Sequence, residues 1–560
     1  MKSYVRGSTA VPLLEITIGD ALQAAAERWP ERLALIDCGQ GVRMTWRELR
    51  DRVDTLAMGF LELGLGKGDR IGIWSLNRFE WTLTQFAAAR IGLVLVTINP
   101  AYRTNELEFV LRDAGCAAIV LSPGFKTSDY LGMLRELLPE IDVPHGSQLR
   151  GEALPDLRHV IQLGGDAMAG AMAFSAVEAL GAVGDKTLVA ELGAKLDATD
   201  PINIQFTSGT TGSPKGVTLS HRNILNNGYF TGRAILLSPE DRLCIPVPLY
   251  HCFGLSMGNL ACLTLGSTIV YPGEGFDPAA TLKAVESERC TALYGVPTMF
   301  IAELDHPEFA SFDLTSLRTG IMAGSPCPIE VMRKVVERMH MSEVTIAYGM
   351  TETSPVSFQS STSDSLERRV STVGRVHPHL EVKIVDGDGK IVPRGVAGEL
   401  CTRGYSVMIG YWGNAEQTEK VKDAEGWMHS GDLAVIDDEG FCNIVGRLKD
   451  MVIRGGENLY PREIEEFLYT HPSVRDVQVF GVPDDRYGEE LCAWIIADDS
   501  AAVDADAIRA FCTGKIAHQK IPRYVKCVDS FPLTVSGKAQ KFVMRQTMMA
   551  ELQLEETKTA

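Results

Sequence analysis

An α/β fold spread over two or more domains is predicted by three features of the chain. It has 560 residues, too many for one compact core. Amphipathic helix and apolar strand alternate through to Met350, and after Gly374 the pattern changes to short alternating strands. In "MTWRELRDRVDTLAMGFLELGLGKGDRIGIWS", Thr45 and Glu48 form a capping box, and Leu49, Val53, Leu56, Phe60 and Leu61 recur at helical spacing. Gly64 is placed to end that helix, and "RIGIWS" reads as a buried strand. "QFAAARIGLVLVTIN" and "NELEFVLRDAGCAAIVLS" repeat the alternation, as do "TLKAVESERCTALYGVP" and "IEVMRKVVERMHMSEVTIAYGM". Parallel strands joined by helical crossovers follow from that order. "LEVKIVDGDGKIVPRGVAGELCTRG" instead predicts antiparallel strands around an Asp-Gly-Asp-Gly turn. From Lys449 the remainder suits a separate α+β lobe, with Pro461 at a helix start and Ile464, Phe467 and Leu468 on one face.

Composition narrows the partners. With 54 Lys and Arg against 72 Asp and Glu, the net charge is -18, which disfavours nonspecific attraction to nucleic acid or anionic lipid. An anionic substrate must therefore be met by local cations. Twelve cysteines include no C-x-x-C pair and no Cys/His cluster close in sequence, so neither a disulfide framework nor a structural zinc site is predicted. Glu15 and Asp20 interrupt the apolar N-terminal stretch, and no export signal is read there. Leu243 to Gly273 contains no formally charged residue, but Pro246, Pro248, Gly254, Gly258, Gly266 and Pro272 break it up. Buried strands and a helix beside a cavity are expected, with no integral membrane segment. A cytoplasmic location fits this balance.

"FTSGTTGSPKGVTLSH", Phe206 to His221, has the small residues, hydroxyls and single lysine needed to cradle a polyphosphate. It departs from a G-x-x-x-x-G-K-[ST] loop because Lys215 stands between Pro214 and Gly216, so the lysine does not open a helix. A plain Ser/Thr/Gly surface turn is the alternative reading.

"TSGTTGSPKG" resembles the phosphate loop of the adenylate-forming superfamily of acyl-CoA synthetases, luciferases and peptide-synthetase adenylation domains. "YGMTETSP", "GWMHSGDLA", "GRLKDMVIRGGENLYPREIE" and "SGKAQK" resemble four further motifs of that superfamily, in the same order, so the resemblance covers nearly the whole chain. "SYVRGSTAVPLL", "NPAYR" and "PLYHCFG" are most similar to its medium-chain fatty acyl-CoA synthetase branch. The resemblance implies a large domain, residues 1–448, of stacked α/β subdomains plus a β region, and a small mobile α+β domain, residues 449–560, hinged near Lys449.

The implied activity is ATP-dependent ligation of a carboxylic acid, medium-chain by the branch, to CoA, with ATP, Mg²⁺ and CoA as the groups used. An aryl-acid CoA ligase is an alternative within the same chemistry. A catalytically silent nucleotide-binding regulator is an alternative from another class, and it would be expected to lose Lys538, Glu352 or Asp432, all of which are present. Many relatives form dimers, which leaves a homodimer open.

Residue by residue, the resemblance implies that Thr207, Ser208, Gly209, Thr210, Thr211, Gly212, Ser213, Pro214 and Lys215 hold the β- and γ-phosphates. Glu352, helped by Thr207, would hold Mg²⁺, and Thr351 would donate to the α-phosphate. Tyr348, beside Gly349, would stack on adenine, with Ala323, Gly324 and Ser325 lining the base. Asp432 would accept from the ribose hydroxyls, and Arg447 would reach ribose or phosphate. Lys538 would bridge the carboxylate and the α-phosphate, although its loop reads as solvent-exposed from sequence alone. His251 would stand at the mouth of an acyl pocket as orienter or gate, with Phe253, Met257 and Met322 suited to an alkyl chain. Lys449 would be the hinge, and Gly455 and Gly456 would let the pantetheine arm of CoA pass.

Overall fold

The computed structural model describes the whole chain except residues 143–148, 150, 208–213, 326, 449, 455–456, 485, 499–503, 535–536 and 555–560. The predicted α/β class is borne out. Trp46–Glu62 is a helix entered through the Thr45/Glu48 capping box, and Gly64 follows its end at φ +75°. Phe79–Ile91 is buried on every side, as an all-round apolar helix must be, and leads into the strand Val94–Thr97.

Two large sheets are stacked with helices between them. One runs Met172–Ala173, His159–Gln162, Cys116–Leu121, Arg70–Trp74, Val94–Thr97, Pro201–Thr207, Lys215–Ser220 and Gly410–Tyr411 in spatial order, parallel up to Pro201–Thr207. The other carries Ala292–Gly295, Thr319–Ala323 and Glu343–Gly349 as parallel neighbours, then turns antiparallel at Val356–Gln359. Strand alternation sends one face of each sheet into a shared core: Ile71, Ile73 and Leu95 from the first meet Tyr294, Ile321 and Ala323 from the second, with Phe86 and Leu255 from the helical layer. The other faces bury separate cores, Val96 and Ile119 on one side and Leu293, Met322 and Ile346 on the other.

The predicted antiparallel region is a sheet of Tyr4–Arg6, Leu380–Val385, Gly398–Gly404, Met428–Ile436 and Cys442–Arg447. Beyond it, Val452–Arg454, Val474–Asp484, Gly488–Ala497 and Tyr524–Cys527 build a smaller sheet with its own cores around Val477, Leu491 and Ile508 and around Phe480 and Met544. Pro461 opens the helix Pro461–Leu468 and buries Ile464 and Leu468, as the spacing predicts. Lys449, the expected hinge, lies outside the described residues.

The uncharged stretch folds as a buried strand end, a π-helix at Phe253–Leu260, the helix Ala261–Leu265 and the strand Thr268–Tyr271. Among the described residues, no helix is long and apolar enough to cross a membrane.

One core residue stands out. Glu303, on the helix Pro297–Leu304, is 1% exposed, and neither carboxylate oxygen has a hydrogen-bond partner among the described residues. Burial pushes its pKa well above the usual carboxylate range. A carboxyl raised in the folded state stabilises below its unfolded value, and that contribution is lost as pH rises toward the folded value. Glu303→Met, of similar volume, is expected to raise the melting temperature, by a margin that widens between about pH 5 and about pH 8. Equal margins at both pH values in differential scanning calorimetry would contradict this.

Candidate active site

The strand Glu343–Gly349 delivers Tyr348 to one end of the second sheet, and a short 3₁₀ turn, Thr351–Thr353, follows. Gly349 is required there, because a Cβ would meet the Pro355 carbonyl oxygen at 1.8 Å. The Tyr348 hydroxyl donates to Asp432 Oδ2 at 2.5 Å. Asp432 and Arg447 are cross-strand partners, and Arg447 Nε stands 3.3 Å from Asp432 Oδ1. Burial pushes the Asp432 carboxyl up, and Arg447 and the Tyr348 hydrogen bond pull it back. A carboxylate so held has both oxygens aimed at donors, the arrangement that also receives a pair of ribose hydroxyls.

Glu352 lies on the 3₁₀ turn, 8% exposed, and its Oε1 accepts from the Tyr411 hydroxyl at 2.9 Å. Burial raises this carboxyl, opposed by that hydrogen bond and by the charges of Lys215 and Arg447. Lys215 Nζ is 5.1 Å from the centre of the Tyr411 ring and donates to Gln417 Oε1 at 3.1 Å. The described ends of the phosphate-loop candidate are thus two antiparallel strands, Pro201–Thr207 and Lys215–Ser220, with Thr207 opposite Lys215. This agrees with a lysine that opens no helix. Ser208, Gly209, Thr210, Thr211, Gly212 and Ser213 lie outside the described residues, as do Gly455 and Gly456.

Lys538 enters from the C-terminal lobe. Its N–H donates to Thr534 Oγ1 at 3.0 Å, and the Thr534 N–H donates to its carbonyl at 2.8 Å. Gly537, at φ +77°, leaves room that a Cβ would lack, because one would lie 2.9 Å from Val296 Cγ2, and Thr298 Oγ1 donates to its carbonyl at 3.5 Å. Gly537 therefore packs on the start of the helix Pro297–Leu304, and it and Lys538 are half-buried where the sequence reads as solvent-exposed. The Lys538 Cε lies 3.9 Å from where a Cβ on Gly324 would sit, which places Gly324 beside the end of the side chain. Burial first, then the charge of Arg447, lowers its basicity, while Cys252, Asp432 and Glu352 act against that. If the ammonium is the working form, the alkaline limb of the activity profile falls below the pH of an ordinary lysine, because the group loses its proton earlier. A limb that stays unmoved in a Lys538→Arg variant would reassign it.

His251 precedes the π-helix, and its Nδ1 accepts from the Phe253 N–H at 3.2 Å. Burial and the nearby Lys538 charge push its basicity down to about 3, so the imidazole is neutral at ordinary pH, which suits an orienter and not a cation. Behind it, Phe253 stacks on Tyr294 with ring centres 5.3 Å apart, and the Tyr294 hydroxyl donates to the Met257 carbonyl at 3.1 Å. Met322 departs from the expectation. It alternates with Ile321 and Ala323 along its strand and so points into the opposite core, away from Phe253 and Met257.

Sequence reasoning passed over four residues that the fold brings here. Tyr411 and Gln417 tie Lys215 to Glu352, Thr298 holds the Lys538 loop, and Cys252 sits beside Lys538 with its thiol pushed up to about 12 by burial. Only the aromatic "GYWGN" stretch around Tyr411 offered a signal.

The donor set also accommodates a divalent cation of the magnesium type. Glu352 is a buried hard-oxygen donor with one oxygen engaged by a neutral hydroxyl, and one carboxylate plus substrate phosphates is the usual complement for that ion.

Comparison with known proteins agrees with the geometry. The model of the AMP-binding enzyme family matches residues 22–412, and that of the AMP-binding enzyme C-terminal domain matches residues 463–538. YngI of Bacillus subtilis (strain 168), which carries the name of an acyl-CoA synthetase, is 48% identical over 535 residues, 95% of this chain and 97% of its own. The mitochondrial medium-chain acyl-CoA ligase ACSF2 of Danio rerio is 46% identical over 555 residues, 99% of this chain and 91% of its own. Among solved structures, ATP-bound MatB from Rhodopseudomonas palustris superposes with a TM-score of 0.80 at 27% identity, over 94% of this chain and 98% of that one. A buried carboxylate pair, a lysine delivered from a second lobe and two family matches in register converge on one assignment: the chain belongs to the family of AMP-binding enzymes.

Proposed function

We propose that the protein is an AMP-forming acid–CoA ligase acting on an aliphatic, medium-chain carboxylic acid. The observation that carries this reading is the seating of Gly537 and Lys538, from the C-terminal lobe, against Val296, Thr298 and Gly324 of the large domain, where the ammonium feels the charges of Asp432 and Glu352. In the first step the substrate carboxylate attacks the α-phosphorus of ATP, the bond to the bridging oxygen breaks, and acyl-AMP and pyrophosphate result. In the second, the CoA thiol loses its proton and attacks the acyl carbonyl, and AMP leaves with the electron pair of the acyl–oxygen bond.

The first step brings two anions together, so it needs placed cations more than a base. Lys538 supplies one between carboxylate and α-phosphate, with Thr351 donating to the same phosphate. Lys215 and the loop from Thr207 to Pro214 hold the outer phosphates. Glu352 holds Mg²⁺ with Thr207, and that ion, when bound, draws charge from the phosphate oxygens. Tyr348 stacks on adenine over Gly349, with Ala323, Gly324 and Ser325 along the base edge. Asp432 exchanges its Tyr348 and Arg447 partners for the ribose hydroxyls. His251, neutral, orients the carboxylate at the mouth of an apolar pocket floored by Phe253 and Met257.

The second step needs the space Lys538 fills. Residues 449–560 are therefore read as a mobile domain against residues 1–448, pivoting at Lys449 and carrying Gly455 and Gly456 toward the site. The medium-chain preference is supported by the similarity, along the length of both chains, to ACSF2, which is named a medium-chain acyl-CoA ligase.

The test is ATP-to-AMP turnover with and without CoA across straight-chain and aromatic acids. A peak for medium aliphatic acids with CoA-dependent thioester is expected. Turnover with aromatic acids alone would move the assignment to an aryl-acid ligase, and none at all would overturn it.

A further inference from the structure

Away from the Lys538 site, the antiparallel sheet brings together three donors that are far apart in sequence. Cys401, on the strand Gly398–Gly404, is the direct cross-strand partner of His429, on Met428–Ile436. Glu399 is two residues before Cys401, and the register shifts between them, with Gly431 at φ +70° on the opposing strand. That bulge turns the Glu399 carboxylate onto the same imidazole. Glu399 Oε2 lies 2.9 Å and Cys401 Sγ 3.4 Å from His429 Nδ1, and all three donor atoms lie within 4.8 Å of one another.

Hydrogen bonding uses this arrangement only in part. One ring nitrogen bears either one proton or one lone pair. If His429 Nδ1 donates to Glu399, the Cys401 sulfur is left with only a shared, weak hydrogen bond. If it accepts from the thiol, the ionised carboxylate faces a lone pair at 2.9 Å. A divalent cation in place of the proton turns all three groups into donors toward one centre.

We propose that Glu399, Cys401 and His429 form a binding site for a borderline divalent cation of the zinc type, separate from the nucleotide site. Thiolate, imidazole and carboxylate are the zinc donor set, whereas magnesium and calcium take oxygen donors. Three protein ligands leave a fourth position, and the side chains of His429 and Glu399 are 34% and 23% exposed, so water or a small ligand reaches it. The outer partners of such a site are in place as well. The Gly431 N–H donates to Glu399 Oε1 at 3.1 Å, fixing the carboxylate, and Asp423 Oδ2 stands 4.0 Å from His429 Nε2, where a carboxylate orients a metal-bound imidazole. Binding moves the Cys401 thiol proton to solvent and the imidazole proton to Nε2, facing Asp423. Asp432 lies three residues beyond His429 on the same strand, so an ion here fixes the strand that presents the proposed ribose contact.

The test uses the full-length, chelator-treated protein titrated with Co²⁺ and then Zn²⁺. The expected result is one equivalent of Co²⁺ giving a thiolate-to-cobalt charge-transfer band, displaced by Zn²⁺. Cys401→Ser is expected to abolish the band, and His429→Asn to weaken Co²⁺ binding by about a hundredfold, with about tenfold for Asp423→Asn. Cys527→Ser, at an exposed cysteine, keeps the band. No band in the wild type, or a band that survives Cys401→Ser, overturns the proposal. If Cys401→Ser fails to reach the wild-type circular dichroism spectrum, unchanged Co²⁺ affinity in a folded His429→Asn variant does so instead.

Discussion

Lys538→Ala is expected to lower acyl-adenylate formation by about 10²–10³-fold or more, while thioester formation from a supplied acyl-adenylate and CoA stays within a few-fold of wild type. The asymmetry follows from what the ammonium does. It lies close enough to feel Asp432, Glu352 and Arg447, so its charge is already placed before the two anionic reactants meet. Once the adenylate exists, the reacting carbonyl is no longer an anion and the lobe that carries Lys538 has to leave. Stopped-flow measurement of both half-reactions checks this. Equal losses in the two steps would show that the substitution damages the fold or the binding of substrate, and the lysine would have to be removed from the adenylation step. The glycine before it gives an internal control: Gly537→Ala meets Val296 at 2.9 Å and should lower adenylation by keeping the loop from seating, with the ammonium intact.

Glu352→Gln is expected to lower kcat/KM for ATP by about 10²–10³-fold and to raise the Mg²⁺ concentration needed for half-maximal rate. The substitution keeps the shape of the side chain and leaves an amide oxygen to accept from Tyr411, so the turn from Thr351 to Thr353 should survive. What it removes is the buried negative charge. Thermal unfolding close to wild type, together with a changed magnesium dependence, would assign the loss to the ion. A rate loss with unaltered magnesium dependence would refute the assignment. Tyr411 distinguishes the two roles further, because its ring faces Lys215 while its hydroxyl faces Glu352.

The helical and strand segments that place these residues were legible in the chain because they are local. The Thr45/Glu48 box, the Pro461 helix start and the alternation through Met350 each depend on neighbours within a few positions, and the structure has all of them. The motif residues were legible for a different reason. Backbone approach to phosphate demands small residues, hydroxyls and a cation at short spacing, so the loop ending in Lys215 stands out in a string, whereas Glu352 and Asp432 were marked by the resemblance of their motifs to the superfamily.

What the string did not hold were relations between segments. Met322 looked like a pocket residue beside Phe253, but which side of a sheet a residue faces depends on the layers packed against it, and here it lies in the other core. The Lys538 loop looked exposed because its small and polar residues carry no burial signal of their own; Val296 and Thr298, more than two hundred positions earlier, pack against Gly537. The twelve cysteines showed no cluster with histidine in sequence, yet a bulge in one antiparallel pair sets Cys401 and His429 against Glu399. The sequence by itself determined the α/β class, the order of the elements and the chemistry each motif residue is able to perform. Only the tertiary structure decided which of those groups share a site, because local propensity acts over one turn or one strand, whereas burial, charge proximity and the acidity of Glu352, Asp432 and Lys538 depend on segments brought together from across the chain.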